Sequence, residues 1–151
     1  MPYCRLFYHL VWPTRKREPI IRAGIENELF LYISKKAREL DCRVIEINGM
    51  EDHIHVIIEI PPKISISEIV KKIKGSSSHE FENLYWATGY GAFTISERNL
   101  ELARKYVKNQ KEHHAENTIF KIYELVDEDS HSSIQTIREG ESEYFVDEDY
   151  F

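Results

Sequence analysis

Hydrophobic and polar positions change period several times along the chain, and each change marks an element. Leu6-Phe7-Tyr8-His9-Leu10-Val11-Trp12 is rich in aromatic and branched residues and stops at Pro13, which predicts a first strand. The polar, basic run Thr14-Arg15-Lys16-Arg17-Glu18-Pro19 follows as a loop. Between Ile20 and Leu40, the residues Ile25, Leu29, Phe30, Ile33, Ala37 and Leu40 keep helical spacing, giving a long amphipathic helix. Cys42 to Met50, with Val44, Ile45 and Ile47, predicts a second strand. Gly49 to Asp52 forms a turn, and the run from His53 to Ile60 pairs back as the other half of a hairpin.

Pro61-Pro62 ends that strand, and Ser65 or Ser67 can cap a second helix carrying Ile66, Ile69, Val70 and Ile73. Gly75-Ser76-Ser77-Ser78 is expected to break it. Tyr85 to Ile95 predicts a fourth strand with glycine kinks, and Ser96 caps a third helix reaching about His114. The order β-α-β-β-α-β is the split, ferredoxin-like arrangement. We therefore expect an α+β fold: an antiparallel sheet with helices on one face and an added C-terminal helix. Periodicity is lost beyond about Tyr123, so the chain divides into a domain over residues 1–123 and a tail over 124–151.

Composition sharpens this picture in two ways. With 151 residues, 42% of them hydrophobic, the chain can bury a proper core. No run approaches the roughly 20 apolar residues of a membrane span, and Arg5, His9 and Pro13 interrupt the first apolar stretch, so a cytoplasmic protein is expected. Cys4 and Cys42 lack zinc-site spacing and read as reduced thiols. The net charge of −6 is unevenly placed. Residues 1–123 hold 19 Lys and Arg against 16 Asp and Glu, while 124–151 hold 1 against 10. The body is mildly basic, so whole-chain charge does not exclude a polyanionic ligand.

The candidate chemistry starts at His53-Ile54-His55. In a strand, residues i and i+2 share a face with Cα atoms roughly 7 Å apart, so both imidazoles can reach one metal ion. The alternative is a half-exposed histidine beside a hydrogen-bonded structural one. On the third helix, steps of about 100° per residue put Glu101, Arg104, Lys105, Lys108, Lys111 and Glu112 on one side. The other side holds Leu100, Leu102, Ala103, Tyr106, Val107, Gln110, His113 and His114. Gln110 in that stripe is informative, because buried polar groups cost free energy unless partnered. Tyr106 and Gln110 are i and i+4 and lie one above the other. If this helix covers the sheet face bearing His53 and His55, two imidazoles and an amide oxygen meet beside a phenol. Such a donor set suits Mn²⁺, or Mg²⁺ with water and a substrate phosphate.

These residues carry a resemblance. His53-Ile54-His55 matches the His-hydrophobe-His motif, and Tyr106-Val107-Lys108-Asn109-Gln110 resembles the Y-x-x-x-Q helix of the single-tyrosine HUH transposases of small bacterial insertion sequences, REP-associated tyrosine transposases included. Tyr8 to Trp12, Ile60-Pro61-Pro62 and Gly89 to Phe93 are similar to the same family, so the likeness spans roughly residues 3–120. It implies that His53, His55 and Gln110 hold Mg²⁺ or Mn²⁺ and that Tyr106 is the nucleophile. It further implies cleavage and rejoining of single-stranded DNA near hairpins through a 5′-phosphotyrosine, by a homodimer whose active sites can be shared. Arg15, Lys16, Arg17, Lys71, Lys72, Lys74, Lys105, Lys108 and Lys111 are candidates for phosphate contact. Tyr85, Trp86 and Tyr90 are either base-stacking platforms or core residues. The acidic end departs from the family and reads as an autoinhibitory or protein-binding tail. A catalytically silent DNA-binding relative and a plain metal-binding interaction module are the competing readings.

Overall fold

Two strands of this chain are buried on both faces, and they sit at the centre of the sheet. A computed structural model describes residues 3–112. The elements are β1 (Phe7–Pro13), α1 (Ala23–Glu39), β2 (Arg43–Met50), β3 (His53–Glu59), α2 (Ile66–Glu80), β4 (Gly91–Ile95) and α3 (Leu100–Lys108). The sheet order is β2-β3-β1-β4, with every neighbouring pair antiparallel. This is the predicted β-α-β-β-α-β topology. His113, His114 and the acidic segment 124–151 lie outside the described residues.

The pleat sorts β1 and β3 into two faces. Leu10, Trp12, Ile54, Val56 and Ile58 pack against Leu29, Ile33 and Ala37 of α1 and Ile69, Val70 and Ile73 of α2. Each large aliphatic side chain so buried contributes roughly 1.5–3 kcal/mol. Phe7, Val11 and Ile57 point the other way and meet Ala103, Tyr106 and Val107 of α3. The sheet is thus a middle layer between two helices and one, and the α3 face also carries the histidines.

Two elements depart from the sequence pattern. α2 runs through Gly75-Ser76-Ser77-Ser78 to Glu80. The serines turn their hydroxyls back onto the helix: Ser77 Oγ donates to the Ile73 carbonyl at 2.7 Å and Ser78 Oγ to that of Gly75 at 3.1 Å. Ser77 is fully buried and also accepts from Trp86 Nε1 at 2.8 Å, so a tertiary contact overrides low helix propensity. The fourth strand is confined to Gly91–Ile95. Before it, the chain keeps only an isolated antiparallel bridge between Trp86 and Thr14, and Lys74 Nζ takes the carbonyls of Ala87 at 2.6 Å and Gly89 at 2.9 Å. The caps follow expectation: Ser65 Oγ accepts from Glu68 N, and Ser96 Oγ from Asn99 N at the short 3₁₀ turn before α3.

Gly49 fixes how closely β2 and β3 approach. It pairs with Ile54, and a Cβ there would collide with the His53 carbonyl oxygen and stand 2.9 Å from Ile54 Cα. Backbone cannot yield as a side-chain tip can, so Gly49→Ala should lower stability by about 1–3 kcal/mol. Thermal or urea unfolding measures it, and an unchanged midpoint would show that the hairpin is not limited by this contact.

Candidate active site on the α3 face of the sheet

Histidines occupy the upper half of the α3 face because the strand period places them there. His53 and His55 project from β3, and His9 projects from β1 on the same side. Val11 lies opposite His55, and His9 lies one pleat along, opposite Ile57. The diagonal brings His9 Nε2 to 2.9 Å from His55 Nδ1, with ring centroids 5.1 Å apart. The His53 and His55 rings are also 5.1 Å apart, at 75°. All three are buried: His9 and His55 are 0% exposed and His53 is 2%.

Each ring is oriented through one nitrogen. His53 Nδ1 lies 2.6 Å from Asp52 Oδ1. That hydrogen bond, helped by the neighbouring His53 and Arg17 charges and opposed by burial, holds the Asp52 carboxyl below its usual range. The stabilisation is complete above the ordinary carboxylate value and is lost as pH falls through the depressed one. Arg17 Nη1 approaches Asp52 at 3.7 Å. A carboxylate accepting from Nδ1–H favours the tautomer that leaves the Nε2 lone pair available. The corresponding Nδ1 of His55 is the atom that meets His9 Nε2.

α3 supplies the rest. The Tyr106 ring lies 6.0 Å from that of His55 and 6.2 Å from that of His9, and Tyr106 is only 6% exposed. Gln110, one turn on, is fully buried. The C-terminal end of α3 is clamped to β2: Asn48 Nδ2 donates to the Lys108 carbonyl at 2.9 Å, and Lys111 Nζ bonds Glu26 Oε1, Asn48 Oδ1 and the Gly49 carbonyl. Asn48 pairs across the strands with His55, so the clamp seats the 106–110 turn over the histidines.

Among the described residues no three His, Cys, Asp or Glu side chains are arranged to hold a metal by themselves. The donor chemistry nevertheless fits a hard divalent ion if the amide oxygen of Gln110 and oxygens of a substrate join the two imidazoles.

The basic residues singled out in the sequence do not share one surface. Arg15 lies over the Tyr85 ring at 4.5 Å, and Lys71 and Lys74 border the same groove. Lys16 and Arg17 form a tight left-handed turn, at φ 55° and 52°. Lys72 pairs with Glu68 at 3.1 Å, while Lys105 and Lys108 are exposed on the outer side of α3. Sequence reasoning passed over His9 and Asn48. Strand alternation does place His9 with Phe7 and Val11, but its diagonal to His55 needs the β1–β3 register.

A family model described as "Transposase IS200 like" matches residues 3–110. The ISDra2 transposase TnpA of Deinococcus radiodurans is 26% identical over 118 residues, covering 70% of this chain and 84% of that protein. The transposase for insertion sequence element IS200 of Salmonella typhimurium is 28% identical over 117 residues, covering 70% and 76%. Among solved structures, a transposase from Deinococcus radiodurans superposes with a TM-score of 0.57 at 22% identity, over 72% of this chain and 93% of that one. A REP-associated tyrosine transposase bound to a REP hairpin gives a TM-score of 0.57 at 17% identity, over 72% and 68%. With the tyrosine helix lying over the histidine strands and the family model spanning nearly all of the described residues, the chain belongs to the IS200-like transposase family, the enzymes of DNA transposition.

Proposed function

We propose that the protein cleaves and rejoins single-stranded DNA at hairpin-containing sites, with Tyr106 as nucleophile and a 5′-phosphotyrosine as the intermediate. The observation that carries this reading is the placement of Tyr106 beside His55 within one chain, on a sheet face that also bears His9 and His53. Hairpin DNA as the substrate class is supported by the solved relative that is bound to a REP hairpin.

In the proposed step the Tyr106 oxygen bonds to phosphorus, and the phenol's proton is balanced, by way of solvent, by the one taken up at the leaving O3′. The P–O3′ bond breaks, leaving a 3′-hydroxyl, and the reverse displacement reseals a strand. His53, His55 and Gln110 would hold Mg²⁺ or Mn²⁺, which supplies Lewis-acid stabilisation of the phosphodiester. Asp52 holds His53 in its ligating tautomer, His9 holds the His55 ring, and the Asn48–Lys111 clamp keeps Tyr106 aimed at the site. The low exposure of Tyr106 limits competing water around its oxygen. The homodimer implied by the family resemblance is part of the proposal, and each subunit has Tyr106 beside its own His55.

A labelled hairpin oligonucleotide incubated with the protein and Mn²⁺ should give a covalent adduct that survives a denaturing gel. Tyr106→Phe should abolish the adduct while leaving hairpin binding intact. Adduct of equal yield from Tyr106→Phe would remove Tyr106 from the role, and binding without cleavage by the wild type would favour a catalytically silent relative. Asp52→Asn, which loses the charge that orients His53, should weaken Mn²⁺ binding by about 10- to 100-fold in calorimetry. Unchanged affinity would mean that His53 is not a ligand.

A further inference from the structure

The basic loop after β1 is fastened to the turn that precedes His53. Thr14 is fully buried; its N–H donates to the Asp52 carbonyl at 2.8 Å, and its Oγ1 lies 2.7 Å from the Glu18 carbonyl and 3.1 Å from that of Asp52. At the other end of the loop, Ile21 N donates to the Glu51 carbonyl at 2.9 Å. Between these ties the backbone is strained, since Lys16 and Arg17 both take left-handed φ, at 55° and 52°. The other non-glycine residues of that kind among the described residues, Asp41 and Asn83, are isolated and carry short polar side chains that tolerate it. Two successive long side chains in this conformation persist only where their surroundings hold them, and such strain gathers at functional sites. Here Arg17 N bonds the Thr14 carbonyl at 3.0 Å, Glu18 N that of Arg15 at 3.2 Å, and Arg15 N that of Tyr85 at 2.8 Å.

What the turn delivers is Arg17. Its Nη1 stands 3.7 Å from Asp52 Oδ2, while Asp52 Oδ1 is 2.6 Å from His53 Nδ1. One carboxylate is therefore shared, with one oxygen toward the cation and the other on the imidazole. At 3.7 Å the former is a charge contact and not a hydrogen bond. With the two side chains 43% and 33% exposed, such a pair would be weak if both were free, because ordering them offsets the attraction. Neither is free here. Asp52 is held by His53 through its carboxylate and by Thr14 through its carbonyl, and Arg17 extends from a turn closed by backbone hydrogen bonds.

We propose that Arg17 is a positioning residue of the metal site: it holds one oxygen of Asp52 so that the other stays on His53 Nδ1, which keeps the His53 ring turned with its Nε2 lone pair available. This rests on the reading of His53 as a metal ligand given above. It gives Arg17 a task that acts through Asp52 and differs from the phosphate contact its basic sequence context suggests. The two roles have opposite signatures. A cation near a divalent site repels the ion, so charge alone predicts that removing Arg17 leaves Mn²⁺ affinity unchanged or raises it. Positioning through Asp52 predicts a fall.

Calorimetry of Mn²⁺ binding to the full chain without DNA provides the test, applied to the wild type, Arg17→Ala, Arg17→Lys, Asp52→Asn and the double variant Arg17→Ala with Asp52→Asn. Arg17 is exposed, and circular dichroism checks that each variant keeps its fold. Arg17→Ala should weaken Mn²⁺ binding by about two- to fivefold. Arg17→Lys, which keeps the charge, should retain most of the affinity. In the Asp52→Asn background Arg17→Ala should have no further effect, since the route through the carboxylate is already broken. Mn²⁺ affinity unchanged or raised in Arg17→Ala, or an equal loss in the Asp52→Asn background, would overturn the role of Arg17, while a fall in Asp52→Asn alone would leave His53 a ligand. A wild type that binds no Mn²⁺ would overturn both readings.

Discussion

Everything on the α3 face depends on a single constraint, the burial of three imidazoles in one layer of a central sheet. An imidazole taken out of water without hydrogen bonds is costly, by roughly 1–3 kcal/mol for each polar group left unsatisfied. The fold meets that cost by pairing: His9 with His55, and His53 with Asp52. Each pair engages Nδ1 of the β3 histidine, and the two rings stand at 75° to each other. α3 then closes the layer with the Tyr106 phenol beside Ala103 and Val107, and the buried amide of Gln110 follows one turn on.

The opposite face explains how the protein tolerates this. Trp12, Ile54, Val56 and Ile58 are fully buried against α1 and α2, giving an uninterrupted apolar core that needs nothing from the histidines. One strand therefore performs two tasks through its two-residue period. The even positions of β3 hold the domain together and the odd positions 53 and 55 present the two histidines to α3. Hydrogen bonds across the sheet link the two, because β1 and β3 contribute to both layers.

Much of this was legible in the sequence for a physical reason. Strand alternation and helical spacing are local, so the element order, the shared face of His53 and His55, and the one-turn relation of Tyr106 to Gln110 follow from periodicity alone. What was not legible depends on partners distant along the chain. Ser77 looked like a helix breaker until Trp86 and the Ile73 carbonyl satisfied its hydroxyl. Tyr85 to Tyr90 looked like strand, but its pairing is reduced to a bridge at Trp86, and Lys74 captures the carbonyls of Ala87 and Gly89. Lys74 itself read as a candidate phosphate contact, whereas its ammonium is bonded to two carbonyls of the chain. His9 read as an interruption of an apolar stretch, since its role depends on a diagonal across two strands. His113 and His114, placed by periodicity on the same helical stripe, lie outside the described residues.

The central claim is that His53 and His55 face a common divalent ion from adjacent odd positions of one strand. Pulsed electron paramagnetic resonance of the Mn²⁺-loaded protein tests it without recourse to activity, through the coupling of the metal electron to imidazole nitrogen. Coupling to nitrogen from both rings is expected, reduced in His53→Ala and in His55→Ala and absent when both are replaced. Mn²⁺ bound with no nitrogen coupling, or with coupling that survives both substitutions, would contradict it.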